Sequence, residues 1–141
     1  MINALVPIDG SAAALRALAF TLDVLRNCSQ AQVHLLNVHA PLIHPWPGKL
    51  VSPDMIDAEL RAEGEKLLAQ PQALAKAAGV ACVSHVSIGH AADEILAYTA
   101  LHHCDAIVMG TRGMGLVAGL VLGSVAQKVV HLAPMPVTVV K

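Results

Sequence analysis

The chain has 141 residues, enough for one domain with a single hydrophobic core. Hydrophobic residues make up 55% and charged residues only 13%, which excludes a disordered chain. Nine Lys and Arg residues against ten Asp and Glu give a formal net charge of −1, so a broad basic face for nucleic acid is not expected. The low charged fraction instead indicates that some apolar surface is buried in an oligomer.

Neither the amino-terminal residues nor any later segment indicates a membrane or secretory protein. Residues 1–5 lack the basic flank and the apolar stretch of a signal peptide, and no segment reaches the roughly 18 apolar residues of a membrane span. The three cysteines, Cys28, Cys82 and Cys104, are widely spaced and form no CxxC pair. We interpret them as reduced, mostly buried thiols in a cytoplasmic protein.

Strand and helix patterns alternate along residues 1–141, which predicts one domain without an internal repeat. The first apolar run, 2–8, ends at Asp9-Gly10-Ser11 and predicts a strand. A helix follows, because leucines recur at spacings of three and four on one stripe: Leu15, Leu18, Leu22 and Leu25. Residues 33–38 predict the second strand.

A long insertion separates the second strand from the third. Its three prolines and one glycine predict an irregular loop over 40–51. Ser52, Pro53 and Asp54 then have the pattern of a helix start, with Ser52 as the N-cap. The apolar face of this helix is predicted to comprise Ile56, Leu60, Leu67, Leu68 and Leu74. Pro71 is predicted to kink or break the helix near Gln70.

The remaining elements complete an α/β pattern. Strands are predicted over 80–86, 106–109 and 137–140, and helices over 91–102 and 124–132. Short apolar strands alternating with helices indicate an open parallel sheet that is covered on both faces. Right-handed crossovers place the carboxyl ends of all strands on one rim, where such sheets bind ligands.

Two glycine segments follow the fourth predicted strand. The first is Gly110-Thr111-Arg112-Gly113, and the second, nine residues later, is Gly123-Ser124-Val125. Glycines let the backbone approach a ligand, and free N–H groups at a helix start favour phosphate or carboxylate. The alternative is that the glycines only form turns, and that Asp9 only caps the first helix or orders the turn at Gly10. Ser124 is predicted to be the N-cap of the last helix while its backbone N–H binds an anion.

Over nearly its whole length the chain resembles the universal stress protein family. The resemblance rests on residues 6–11, 35–38, 105–113 and 136–141, and on the two glycine segments. The nucleotide-binding branch of the family carries Gly-x2-Gly-x9-Gly-Ser/Thr, and this sequence matches that pattern without a gap.

The resemblance implies a Rossmann-like fold of the adenine nucleotide alpha hydrolase type, with strand order 3-2-1-4-5. It also implies that ATP, with or without Mg²⁺, binds at the carboxyl rim. In that site Asp9 would contact the adenosine, the backbone of Val38 the adenine edge, and Met109 the base. Carried over by position, the complete site would be Pro7, Asp9, Val38, Met109, Gly110, Arg112, Gly113, Gly123, Ser124 and Val125.

One departure from the family bears on phosphate binding. The spacer 114–122 has neither a charge nor a hydroxyl, whereas many members carry Lys or Arg there. Two hypotheses therefore stay open: an ATP-binding regulatory module for the stress response, or a homodimeric interaction protein with little or no nucleotide affinity. The dimer is predicted to form through the fifth strand, Val137, Thr138, Val139 and Val140, which is β-branched and lies at the sheet edge.

Catalytic and metal chemistry have little support in the sequence. No Gly-Lys-Ser/Thr follows the glycines, and Ser11 and Ser124 have no nucleophile elbow, so at most a slow ATPase is expected. The eight histidines lack a supporting Cys or carboxylate cluster. We interpret them as solvated or core residues rather than zinc ligands.

Overall fold

A computed structural model describes residues 1–41, 52–111 and 122–141. Strands and helices alternate through these residues in the following order: β1 Ile2–Pro7, α1 Ala12–Leu25, β2 Ala31–His39, α2 Pro53–Ala77, β3 Ala81–Ile88, α3 Ala91–Leu101, β4 Ala106–Gly110, α4 Ser124–Leu132 and β5 Val137–Val140. Every predicted strand and helix is confirmed. Strand β2 begins two residues earlier and ends one residue later than predicted, and β3 extends two residues beyond its predicted carboxyl end. The predicted loop over 40–51 lies mostly outside the described residues.

The strands form one parallel sheet in the order β3-β2-β1-β4-β5, as the resemblance implied. The register pairs Ile2 with Ala31 and Pro7 with Leu36, and it pairs Met109 with Val139. Because all pairs are parallel, the carboxyl ends of the strands lie on one rim. The ends of β1, β2 and β4 therefore lie side by side at the centre of that rim.

Helices cover both faces of the sheet, and each face has its own core. On one face the alternate β1 residues Ala4 and Val6 pack with Leu18 of α1 and Leu68 of α2. On the other face Leu5 packs in a cluster with residues of α3 and α4. This two-sided burial explains why the strands are apolar runs rather than alternating patterns.

Helix α2 differs from its prediction in two ways. It starts as predicted, with Ser52 as N-cap accepting from the N–H of Met55, but it runs unbroken through Pro71. Proline removes one helical hydrogen bond. The helix tolerates this loss because Pro71 is buried and the surrounding turns pack on the sheet.

The buried face of α2 is also narrower than predicted. It consists of Gly64, Leu68, Pro71 and Ala75, whereas Leu67 and Leu74 are each more than a third exposed. The physical reason is a close approach at Gly64, where an added Cβ would lie 2.6 Å from Cγ1 of Val86. Small residues at the contact bring the helix close to the sheet, and the larger leucines flank the contact.

Two further sequence predictions can be compared with the structure. All three cysteines are free thiols, but only Cys104 is buried; Cys82 is half-buried and Cys28 is exposed after the end of α1. The prediction that the thiols are mostly buried is therefore wrong for Cys28. In the described part of the chain no helix is long and apolar enough to cross a membrane.

Candidate functional site

The end of β1 enters a turn that the side chain of Asp9 orders. Its Oδ1 accepts a hydrogen bond of 2.9 Å from the N–H of Ser11, and Gly10 between them has φ +86°. Ser11, not Asp9, is the N-cap of α1, because its Oγ accepts from the N–H of Ala14 at 3.1 Å. Asp9 is nevertheless exposed, so its carboxylate is also available at the rim.

The neighbouring strand β2 brings Val38 to the same rim. Val38 is half-buried and packs against the core cluster of the α3 and α4 face. The next residue, His39, accepts a 2.8 Å bond at its carbonyl oxygen from the N–H of Gly89, which fixes the end of β2 against the end of β3. Pro7 is half-buried and pairs in register with Leu36.

Strand β4 ends at Met109 and Gly110. Met109 is only 5% exposed and belongs to the core cluster with Leu5. A Cβ at Gly110 would lie 2.7 Å from the Cβ of Ala13 and 3.0 Å from its backbone carbon. Glycine at this position is therefore required by the packing of the first turn of α1 against β4, a contact that sequence reasoning missed.

The second glycine segment is held directly against the end of β4. The N–H of Gly123 donates to the carbonyl oxygen of Thr111 over 2.6 Å, and the N–H of Thr111 donates to Val140 over 2.9 Å. Thr111 is 8% exposed. These two bonds join β4, β5 and the start of α4 at one point on the rim. Arg112 and Gly113, together with most of the uncharged spacer, lie outside the described residues.

The N-cap of helix α4 lies one residue earlier than the sequence predicted. Gly123, with extended φ −69° and ψ 163°, is the N-cap, and Ser124 is the first helical residue. The prediction that Ser124 is the cap is wrong, because the bond to Thr111 places Gly123 at the helix start. In the described part of the chain no side chain caps α4. The first-turn N–H groups, those of Ser124 and Val125 among them, carry the positive end of the helix dipole.

A cross-helix ion pair lies close to this helix start. Nζ of Lys128, one turn into α4, lies 2.8 Å from Oδ1 of Asp93 in the first turn of α3. The hydrogen bond and the charge of Lys128 hold the pKa of Asp93 below its ordinary value. Both side chains are about half exposed, so the pair is a weak surface contact that ties α3 to α4.

The described side chains do not form a metal site. Among residues 1–41, 52–111 and 122–141, no group of three or more His, Cys, Asp or Glu side chains is placed to hold a metal ion. The described part of the rim offers backbone N–H groups, the exposed carboxylate of Asp9 and the half-buried apolar side chains of Pro7 and Val38. The N–H groups suit an anion, and the carboxylate suits a hydroxyl donor.

Comparison with known proteins identifies the family. The family model described as the universal stress protein family matches residues 1–141. The chain belongs to the universal stress protein family. A Thermus aquaticus relative, the universal stress protein in the QAH/OAS sulfhydrylase 3' region, is 39% identical over 143 residues, covering 97% of this chain and 96% of the relative.

Solved structures agree with the fold. Universal stress protein UspA from Lactobacillus plantarum is 26% identical with a TM-score of 0.83, and the match covers 99% of this chain and 97% of that one. An Arabidopsis thaliana family protein with AMP bound has 23% identity, a TM-score of 0.73 and coverages of 100% and 92%. A universal stress protein in complex with cAMP has 24% identity, a TM-score of 0.72 and coverages of 99% and 97%.

Proposed function

We propose that this universal stress protein binds an adenine nucleotide, ATP, at the carboxyl rim and acts as a regulatory module in a stress response. The observation that carries the proposal is the 2.6 Å bond from Gly123 to Thr111. It brings the start of α4 beside the end of β4, where a phosphate would meet both the helix dipole and unpaired backbone N–H groups. The AMP and cAMP complexes of structural neighbours support the adenine nucleotide class.

In this proposal each part of the rim has one task. The exposed carboxylate of Asp9 accepts from a ribose hydroxyl. Val38 presents backbone groups to the adenine edge, Pro7 and Met109 belong to the wall beside the base, and Gly110 and Gly113 allow close approach of the backbone. Gly123 lets the phosphates approach the start of α4, where they lie on the N–H groups of Ser124 and Val125; Arg112, the residue after Thr111 in the sequence, supplies a cation, and Mg²⁺ a counterion. We further propose a cytoplasmic location, in keeping with three free thiols.

The test uses protein shown to be free of copurified nucleotide. ATP at 100 times its Kd should stabilise the fold by about 2.7 kcal/mol, seen as a rise in melting temperature. Gly123→Val should remove most of this rise, because an extended backbone accepts valine but the side chain covers the first turn of α4. His131→Gln at the other end of the same helix is the matched control and should respond like the wild type. A flat titration of the wild type with ATP, AMP and cAMP would refute nucleotide binding.

The second candidate, an interaction protein with little nucleotide affinity, is favoured by one observation. Gly110 is already explained by its contact with Ala13, so its place in the glycine pattern does not require a ligand. A dimer without any nucleotide effect on melting would support this candidate.

For either candidate we propose that the protein forms a homodimer through β5. The strand is at an edge of the sheet, whereas the other edge strand, β3, is approached by α2. There Arg61 donates from Nη1 to the carbonyl oxygen of Val86 over 2.9 Å. The bonds from β4 to the carbonyl oxygens of Pro136 and Val140 direct the even-numbered residues of β5 inward. The backbone groups of Val137 and Val139 therefore face outward, where a second β5 can pair with them.

The dimer is tested by light scattering of wild type and Val139→Pro. The wild type should have twice the chain mass, and Val139→Pro should shift it towards monomer, because it removes an outward N–H without touching the pairing to β4. Val139→Thr, which keeps the N–H and the β-branch, is the control and should remain dimeric. A monomeric wild type at micromolar concentration, or a dimer unaffected by proline, would contradict the proposal.

A further inference from the structure

A buried histidine lies between the sheet and α3, far from the carboxyl rim. His34 of β2 is 5% exposed, and its Nδ1 is 3.1 Å from the hydroxyl oxygen of Tyr98 on α3. Its Nε2 is 3.4 Å from Oδ1 of Asn3, in β1. His34 thus links three elements, and it does so at the amino-terminal half of the strands.

The two hydrogen-bond partners of His34 determine which of its ring nitrogens carries the proton. Oδ1 of Asn3 can only accept, so Nε2 of His34 carries the hydrogen, and Nδ1 is left to accept from the hydroxyl of Tyr98. The neutral ring therefore satisfies both contacts. A second proton on Nδ1 would turn that nitrogen into a donor, and the Tyr98 hydroxyl would have to reverse its role inside a buried contact.

Two more histidines surround the same tyrosine. The ring of His102 stacks on that of Tyr98 at 4.0 Å with an angle of 27°, and it lies 5.9 Å from the ring of His34. The ring of His85, from β3, lies 5.8 Å from that of Tyr98. His85 and His102 are exposed. A positive charge on His102 opposes a positive charge on His34.

Among the described residues, none of the other titratable groups beside the cluster forms an ion pair with His34. Burial raises the pKa of the Cys82 thiol and raises that of Cys104 to about 11, so both stay neutral in acid. Burial likewise raises the pKa of Tyr98. Asp105, next to Cys104, directs its Oδ2 to the N–H of Asn3 over 2.8 Å and not to the ring of His34.

We propose that His34, Tyr98, His85 and His102 form an acid-sensitive latch, which holds the carboxyl-terminal end of α3 on the sheet while His34 is neutral and loosens it when His34 is protonated. The latch does not depend on nucleotide binding. The surroundings of His34 determine whether acid loosens or tightens the latch. Burial, and then the charge of His102, lower the pKa of His34 below the ordinary 6.5. The unfolded chain thus takes up this proton at a higher pH than the folded one. Neutral His34 therefore contributes its full stabilisation of the folded state above pH 6.5. This contribution declines as the pH falls from 6.5 through the pKa of His34 in the folded protein.

The first experiment measures melting temperature from pH 8 to pH 5 for wild type, His34→Gln and His131→Gln. His131 is exposed on α4, so His131→Gln is the matched control for loss of one histidine. The melting temperatures of the wild type and the control should fall by several degrees, on the order of 5 °C, between pH 8 and pH 5. The fall for His34→Gln should be smaller by about 2–4 °C. Parallel curves for wild type and His34→Gln would overturn the latch.

The second experiment needs no substitution at His34 and stands if that variant does not fold. Ring proton shifts of His34 in the wild type should titrate below pH 6.5, and amide exchange in the last turns of α3 should accelerate over the same pH range. His102→Gln should raise the pKa of His34, because it removes a repelling charge, while His131→Gln should leave it unchanged. A ring that titrates at or above 6.5, or one unaffected by His102→Gln, would overturn the proposal.

Discussion

Gly110→Ala is the substitution that best separates packing from ligand binding at the rim. The added methyl carbon would lie 2.7 Å from the Cβ of Ala13, 3.0 Å from its backbone carbon and 3.2 Å from the backbone nitrogen of Ala14. Two of these three atoms belong to the backbone of α1 and cannot rotate away. We therefore expect the first turn of α1 to be pushed from β4.

The expected loss of stability is the difference between two effects. Overpacking of a well-packed contact costs about 1–3 kcal/mol. Replacing glycine in a strand by alanine returns about 0.5–1 kcal/mol, because the unfolded chain has less freedom to lose. Since backbone atoms form the contact, the net loss should be about 1–2 kcal/mol, or a fall in melting temperature of about 2–8 °C.

A double-mutant cycle with Ala13→Gly identifies the cause. Ala13→Gly alone destabilises α1, because glycine is the poorer helix former. In the double variant, however, the methyl of residue 110 no longer meets a Cβ at residue 13. Denaturant unfolding should then show a coupling of at least about 0.5 kcal/mol in the favourable direction. Strict additivity would assign the clash to the backbone atoms of Ala13 and Ala14 rather than to the Cβ of Ala13, and a Gly110→Ala protein as stable as the wild type would refute the packing argument.

The same variants inform the ligand hypothesis. If Gly110 serves packing alone, the folded double variant should bind ATP as the wild type does. If the backbone of residue 110 also approaches the nucleotide, the double variant should lose affinity even where its stability is restored. The two roles are then measured separately in one set of proteins.

Three further predictions concern positions where the structure assigns a clear local role. Ser11→Ala should cost about 0.5–2 kcal/mol in denaturant unfolding because Ser11 caps α1, whereas Ser124→Ala should leave stability unchanged because Ser124 caps nothing; equal losses would contradict the capping assignment. Gly64→Ala should destabilise by about 1–2 kcal/mol despite better helix propensity, since its methyl would lie 2.6 Å from a buried valine, and an unchanged midpoint would show that α2 moves freely. Maleimide at pH 7.5 should label exposed Cys28 well before buried Cys104, whose pKa of about 11 keeps it protonated; mass spectrometry showing the reverse order would be inconsistent with the fold.

The elements themselves were predictable from local chemistry. The strand over Val137–Val140 was predicted to the residue, because a β-branched run directly after Pro136 favours a strand. The start of α2 was equally clear from Ser52, Pro53 and Asp54. The strand order, in contrast, came only from the resemblance, because periodicity does not say which strands are neighbours.

What the sequence could not show depends on contacts between distant residues. Gly123 is the cap of α4 because its N–H reaches Thr111, and no propensity at residues 123 and 124 carries that information. Helix α2 continues through Pro71 because its neighbours pack on the sheet, which outweighs one lost hydrogen bond. His34 and Tyr98 are 64 residues apart, so only the pairing of β2 with its neighbours and the crossover to α3 bring them together.

Gly64 and Gly110 show why a glycine pattern is ambiguous evidence for a ligand. Gly64 has no place in the nucleotide pattern, yet its contact with Val86 is as close as that of Gly110 with Ala13. Packing alone therefore accounts for a glycine in this protein. Gly123 is different, because its backbone is extended, with φ −69° and ψ 163°, and it lies at a helix start that no side chain caps. Of the described members of the glycine pattern, Gly123 thus gives the stronger support for an anion at the rim.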